Sequence, residues 1–154
     1  MVFADDFGIA PSLAEDDMKR LVVMRTFSKA YGLAALRVGY AIAERSIIDY
    51  MNRVRAPFNV TAPGQAAAIA GLDDRAHVEK SVALNAKERV RVIAELRKLG
   101  LSTAPSQTNF VLVDVGRPAR PVYDALLRRG VIVRPFGNMP SSLRVTFGLP
   151  EEND

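Results

Sequence analysis

The sequence predicts an α/β protein in two parts, and three observations carry that expectation. Two short apolar runs near the start, residues 21–25 and 38–43, flank a turn of small residues. A long amphipathic segment follows over residues 75–99. Beyond it, residues 109–147 read as strand, helix, strand and strand, the pattern of a small α/β unit.

In chain order, Asp16-Asp17-Met18-Lys19-Arg20 reads as a short helical turn. Leu21-Val22-Val23-Met24 is the apolar core of a buried strand. Residues 33–36 form a helical turn and 38–43 a second strand. Residues 46–54 form a helix with Ile47, Ile48 and Met51 on one face. Two prolines and an asparagine make 55–63 a loop. The alanine-rich stretch 63–72 suits a closely packed helix, and Asp73 or Asp74 can cap the next one. In that helix, 75–99, Val78, Val82, Ala86, Val90, Ile93 and Leu96 recur every three or four residues and define one apolar face. Gly100 ends it. A strand at 109–115 precedes a helix at 121–129, opened by Pro121 and closed by Gly130. Strands at 131–134 and 143–147 complete the pattern.

The bulk composition excludes several classes. With 154 residues, 49% apolar and 25% charged, the chain has the composition of a globular protein with a core. No apolar run approaches the ~18 residues of a membrane span, because Arg37 interrupts the best candidate. No basic and apolar leader opens the chain, so no secretion signal is expected. The absence of cysteine excludes disulfides and thiolate metal sites and fits a cytoplasmic location. One histidine, His77, is too few for a histidine metal site, and no metal is expected. The net charge of +4 comes from arginines such as Arg89, Arg91, Arg97, Arg128 and Arg129, interleaved with Glu88, Glu95 and Asp124. These are solvated helix faces and not a nucleic-acid stripe. Anionic small molecules are the expected partners, with neither nucleic acid nor membrane.

The run Thr26-Phe27-Ser28-Lys29-Ala30-Tyr31-Gly32-Leu33-Ala34-Ala35-Leu36-Arg37-Val38-Gly39-Tyr40 carries most of the chemical information. It follows a strand, and Gly32 can supply an unusual backbone angle in its turn. A hydroxyl, an amine and a guanidinium are thereby brought close. That set suits a cofactor with both an aldehyde and a phosphate. An amine condenses with an aldehyde to a Schiff base, and a hydroxyl and an arginine fork hold a phosphate.

The same run resembles the lysine signature of the fold-type I, pyridoxal-phosphate-dependent aminotransferases. The histidinol-phosphate aminotransferases and the aromatic aminotransferases near them are most similar in pattern. The departure is Ala35, where the family usually has glycine. The resemblance implies that Lys29 is the Schiff-base lysine and that Ser28 and Arg37 bind the phosphate of pyridoxal 5'-phosphate. It also implies an aspartate-aminotransferase-like fold and a homodimer for the full-length family. In that fold, residues 1–74 would be a remnant of the large cofactor-binding domain. Residues 75–100 would be a linking helix, and 101–154 a small α/β carboxy-terminal domain.

A second stretch, Leu143-Arg144-Val145-Thr146-Phe147-Gly148, resembles the family strand whose arginine forks onto the substrate α-carboxylate. A planar carboxylate is well matched to a bidentate guanidinium. If the donor is histidinol phosphate, which has no carboxylate, Arg144 would meet its phosphate and then the glutamate carboxylate in the other half-reaction. Arg134 either lines the same cleft or lies at the surface. Asn109, before Phe110, matches a family Asn-Phe position with a packing or site-edge role. Tyr31 is expected to pack beside the lysine.

The reaction so implied moves an amino group from an amino acid or histidinol phosphate to a 2-oxo acid such as 2-oxoglutarate, in histidine biosynthesis. The Lys29 amine would shuttle the α-proton. The alternatives on the same scaffold are an aromatic aminotransferase and a threonine-phosphate decarboxylase. A third reading is a non-catalytic fragment. The family carries an Asp-x-x-Tyr strand ahead of the lysine motif, whose aspartate pairs with the cofactor's pyridine nitrogen. Asp5 and Asp6 stand too late and lack the tyrosine. The sequence therefore reads as a carboxy-terminal part, truncated at both ends.

Overall fold

β-Branched residues favour extended backbone. Val22 and Val23 accordingly open β1 (Val22–Thr26), which pairs antiparallel with β2 (Gly39–Ala43) from Val22↔Ala43 to Thr26↔Gly39. Only glycine fits at the last pair, since a Cβ on Gly39 would stand 2.7 Å from the Arg25 carbonyl oxygen. The computed structural model describes residues 19–154. Asp5, Asp6 and the first three residues of the turn expected at 16–20 lie outside them. Contacts divide the chain into two units, Met1–Val78 and Glu79–Asp154.

In the first unit, a short 3-10 helix (Ala34–Leu36) sits between the strands, and α1 (Arg45–Val54) and α2 (Ala62–Asp73) follow them. The loop expected at 55–63 ends two residues early. Pro63 falls in the first helical turn, where a missing N–H costs nothing, and Thr61 Oγ1 accepts from Gly64 N–H at 3.2 Å as the cap. Phe27, Val38 and Ala68 are buried together, with Tyr31, Leu33, Leu36 and Val60 against them. A Cβ on Gly64 would lie 2.9 Å from Val38 Cγ2, so α2 packs directly on the residue that follows Arg37.

The helix α3 (Arg75–Lys98) begins where Asp74 Oδ1 accepts from His77 N–H at 3.0 Å. It closes with Gly100 at φ 78° and a Leu101 N–H bond to the Leu96 carbonyl at 3.1 Å, which satisfies the last carbonyls. The second unit continues with β3 (Ser102–Thr103), β4 (Phe110–Asp114), α4 (Ala119–Leu127), β5 (Arg134–Phe136), β6 (Met139–Thr146) and α5 (Pro150–Asn153). Its sheet runs in the order β3-β4-β6-β5 with every neighbour antiparallel. Val111, Val113 and Phe147 form its core against Val92, Ile93 and Leu96 of α3.

Three expectations shift here. α4 starts at Ala119, with Pro118 as its cap, so Pro121 lies inside the first turn. β5 starts at Arg134 and not at Val131. Val131 N–H is already bonded to the Leu126 carbonyl at 3.0 Å in the turn that closes α4 at Gly130, φ 83°. The apolar face read along α3 is only partly the buried one: Val90 is 69% exposed, and the residue buried to 1% is Glu88.

Glu88 Oε2 accepts from Arg91 Nε and Nη2 at 3.0 and 2.7 Å and from Asn153 Nδ2 at 2.8 Å. Arg91 also reaches the Pro150 carbonyl and Asp154, so this cluster ties α5 to α3. The Arg91 bonds first, and the Asn153 bond next, hold the Glu88 carboxyl below its ordinary value of 4.5. A depressed carboxyl stabilises the fold above that ordinary value, and the contribution is lost as pH falls through the lower folded value. Urea midpoints are therefore expected to drop between pH 6 and pH 3, and Glu88→Gln is expected to flatten that drop. An unchanged acid limb in the variant would contradict this role. Among the described residues, no helix is long and apolar enough to cross a membrane.

Candidate active site

The lysine loop is built on the first unit's core. Phe27 is buried between exposed Thr26 and half-buried Ser28, and its ring lies 4.8 Å from that of Tyr31. Gly32, at φ 69°, closes a turn in which its N–H bonds the Lys29 carbonyl at 2.8 Å, while Leu33 N–H returns to the Phe27 carbonyl at 2.9 Å. The loop is thus pinned at both ends, and the exposed Lys29 side chain projects from it. Among the described residues, the Lys29 amine has no hydrogen bond or ion pair.

Thr26 Oγ1 donates to Ser28 Oγ at 2.9 Å and accepts from Ser28 N–H at 3.1 Å, which fixes the serine hydroxyl. Arg37 Nη1 stands 3.5 Å from the same hydroxyl and donates to the Ala34 carbonyl at 2.7 Å. Arg37 itself adopts φ 55°, a left-handed conformation that costs a non-glycine residue roughly 1 kcal/mol or more. The conformation is held from both sides, by the Ala34 bond and by the burial of Val38 beneath α2. Ser28 and Arg37 therefore converge. Thr26 joins them, a residue whose part was visible in sequence only as the spacing Thr-x-Ser.

In the second unit, β4 and β6 point Val111, Val113, Leu143 and Val145 to one face. Phe110, Leu112, Arg144 and Thr146 take the other. Arg144 lies opposite Arg134 in the β5–β6 ladder. Like charges directly opposed across a ladder are destabilising, so this pairing is a place where an anion would relieve repulsion. The Arg144 guanidinium carbon sits 5.2 Å from the centroid of the Phe110 ring, a cation–π contact. Its Nε is buried without a hydrogen-bond partner, an unmet donor in the same place. Arg134, Arg144 and Thr146 line one groove with Arg120 and Tyr123 of α4, and among the described residues no acidic side chain lines it. Asn109 is half-buried, and its carbonyl accepts from Phe147 N–H at 2.9 Å. That bond anchors the strand end and leaves the Asn109 side chain without a partner among the described residues.

The profile of the class I and II aminotransferases matches residues 1–154. A histidinol-phosphate aminotransferase of Pseudomonas aeruginosa is 54% identical over 136 residues, which cover 87% of this chain and 37% of that protein. The chain thus spans a little over a third of the length of the curated relatives it matches. Among solved structures, the histidinol-phosphate aminotransferase of Sinorhizobium meliloti in complex with pyridoxal-5'-phosphate superposes with a TM-score of 0.80. It is 32% identical, with 89% of this chain and 39% of that one covered. The L-threonine-O-3-phosphate decarboxylase of Porphyromonas gingivalis superposes with a TM-score of 0.78 at 26% identity, covering 92% and 46%.

Proposed function

Because the chain belongs to the class I and II aminotransferases and has their aspartate-aminotransferase-like α/β fold, we propose that it forms the lysine-bearing part of a pyridoxal-phosphate-dependent histidinol-phosphate aminotransferase. In this reading, residues 1–74 belong to the large cofactor-binding domain, 75–100 link it to the small one, and 101–154 form the small carboxy-terminal domain. The complete protein works in the cytoplasm as a homodimer.

The observation that carries the reading is the convergence of Thr26, Ser28 and Arg37 in the loop that bears Lys29, whose amine bonds no described residue. These donors fit a phosphate: two hydroxyls, one already oriented, and a guanidinium held in a strained but fixed backbone. When bound, pyridoxal phosphate supplies an aldehyde that condenses with amines and a ring that accepts electrons. Ser28 and Arg37 would hold its phosphate, and the Lys29 Nζ would take the proton from the donor's α-carbon in one half-reaction and deliver one to the α-carbon of the 2-oxo acid acceptor in the other. Arg144, with its unsatisfied Nε, forks onto the substrate anion, and Arg134 adds a second charge to the same anion. The anion is the phosphate of histidinol phosphate in one half-reaction and the carboxylate of glutamate or 2-oxoglutarate in the other.

A threonine-phosphate decarboxylase is the second reading, favoured by the likeness to the Porphyromonas structure. Both donors carry a phosphate, so the arginine pair serves either. Turnover assays with 2-oxoglutarate on this chain, completed by the amino-terminal part of its Pseudomonas relative, separate them. Glutamate is expected from histidinol phosphate at least about tenfold faster than from phenylalanine. Carbon dioxide from threonine phosphate without glutamate would select the second reading, and no turnover of any donor would contradict both.

A further inference from the structure

The arginine groove of the second unit contains a third guanidinium that the proposed reaction does not use. Arg120, in the first turn of α4, lines the groove together with Tyr123. Its guanidinium carbon lies 5.4 Å from the Tyr123 ring centroid, and its Nε donates to the two Asp124 oxygens at 3.1 and 3.3 Å. The Arg120 side chain is 74% exposed, and an ion pair so exposed is weak. Arg120 can therefore exchange Asp124 for a more highly charged anion.

Charge and oxygen count decide which anion that is. One bidentate fork satisfies a carboxylate, which carries a single charge and two oxygens. A phosphomonoester near neutral pH carries up to about two charges and three terminal oxygens. It leaves acceptors over after Arg144 and Arg134 have bound, and the groove offers Arg120 and the Tyr123 hydroxyl to meet them.

We infer that Arg120 and Tyr123 form a dianion subsite beside the Arg134–Arg144 pair, one that selects substrates ending in a phosphomonoester over those ending in a carboxylate. The inference rests on the reading of Arg144 as the anion fork. Asp124 acts in it as an internal competitor that holds Arg120 when no dianion is present.

Titration of the 154-residue chain with methyl phosphate and with acetate, at low salt and pH 7.5, tests it by calorimetry or amide chemical shifts. Methyl phosphate is expected to bind more tightly than acetate. Arg120→Ala is expected to weaken methyl phosphate about 3–10-fold while moving acetate less than about twofold. Arg120→Lys should retain part of the preference, and Asp124→Asn should strengthen methyl phosphate alone. Arg120 is exposed, so folding is not at issue, and far-UV circular dichroism checks it. Equal weakening of both anions in Arg120→Ala, no weakening of either, or no preference in the unaltered chain would overturn the subsite. Arg144→Ala reports separately on the fork. If it leaves both affinities unchanged, the reading of Arg144 fails, while the ratio in Arg120→Ala still decides the subsite.

Discussion

Replacing Lys29 by alanine is expected to lower transamination by roughly 10²–10⁴-fold from lost proton transfer alone, and further because the cofactor loses its covalent anchor. The measurement is glutamate formation by the completed enzyme with saturating cofactor. The fold should not respond. Lys29 is exposed, its amine bonds no described residue, and the turn around it is closed by the backbone of Gly32 and Leu33. The thermal midpoint should stay within the small range usual for surface changes. A variant that keeps a tenth or more of the activity would remove Lys29 from the chemistry. One that unfolds would make the lysine structural.

Phe147→Ala should have the largest effect on stability, about 3–5 kcal/mol, because a buried ring is removed from a small core. Phe147 is 7% exposed and packs with Val111 and Val113 beneath α3, while its N–H fixes the Asn109 carbonyl. A domain is stable by only about 5–15 kcal/mol, so the second unit should lose most of its cooperative unfolding at room temperature. Urea denaturation followed by circular dichroism measures this. Val90→Ala is the matched control. Sequence periodicity puts Val90 on the apolar face, yet the side chain is 69% exposed, and its loss should change stability by less than about 0.5 kcal/mol. Equal costs at the two positions would contradict the packing described.

The lysine loop was legible because its determinants are local. A strand, a glycine at the turn and an arginine eight positions after the lysine specify most of its geometry, and the structure brings Ser28 and Arg37 within 3.5 Å. The hydroxyl bridge from Thr26 to Ser28 depends on side-chain rotamers that the Thr-x-Ser spacing permits but does not specify. The groove on the second unit was only half legible. Arg144 stood out in its strand, but the position of Arg134 directly across the ladder depends on a register that sequence does not state. The apolar run at 131–133 looks like a strand because composition cannot show that Val131 N–H is already committed to closing α4. On α3, the expected stripe meets the core only at its end, through Ile93 and Leu96, while Val82 and Val90 are exposed and the core is completed by Glu88 and Val92, which lie off the stripe. Periodicity counts apolar residues, and a carboxylate buried by Arg91 and by Asn153, 65 residues away, breaks the count.

Lys29 is expected to meet pyridoxal phosphate in a loop whose Ser28 and Arg37 hold the phosphate. The most direct test incubates the chain with pyridoxal phosphate at low excess, fixes it with borohydride onto whichever amine it has joined, and maps the label by peptide mass. Lys29 is expected to carry the label in strong preference to Lys19, Lys80, Lys87 and Lys98. The preference should disappear with pyridoxal, which lacks the phosphate, and fall about tenfold in Arg37→Ala. A label spread evenly over the lysines, or a Lys29 label indifferent to the phosphate, would contradict it.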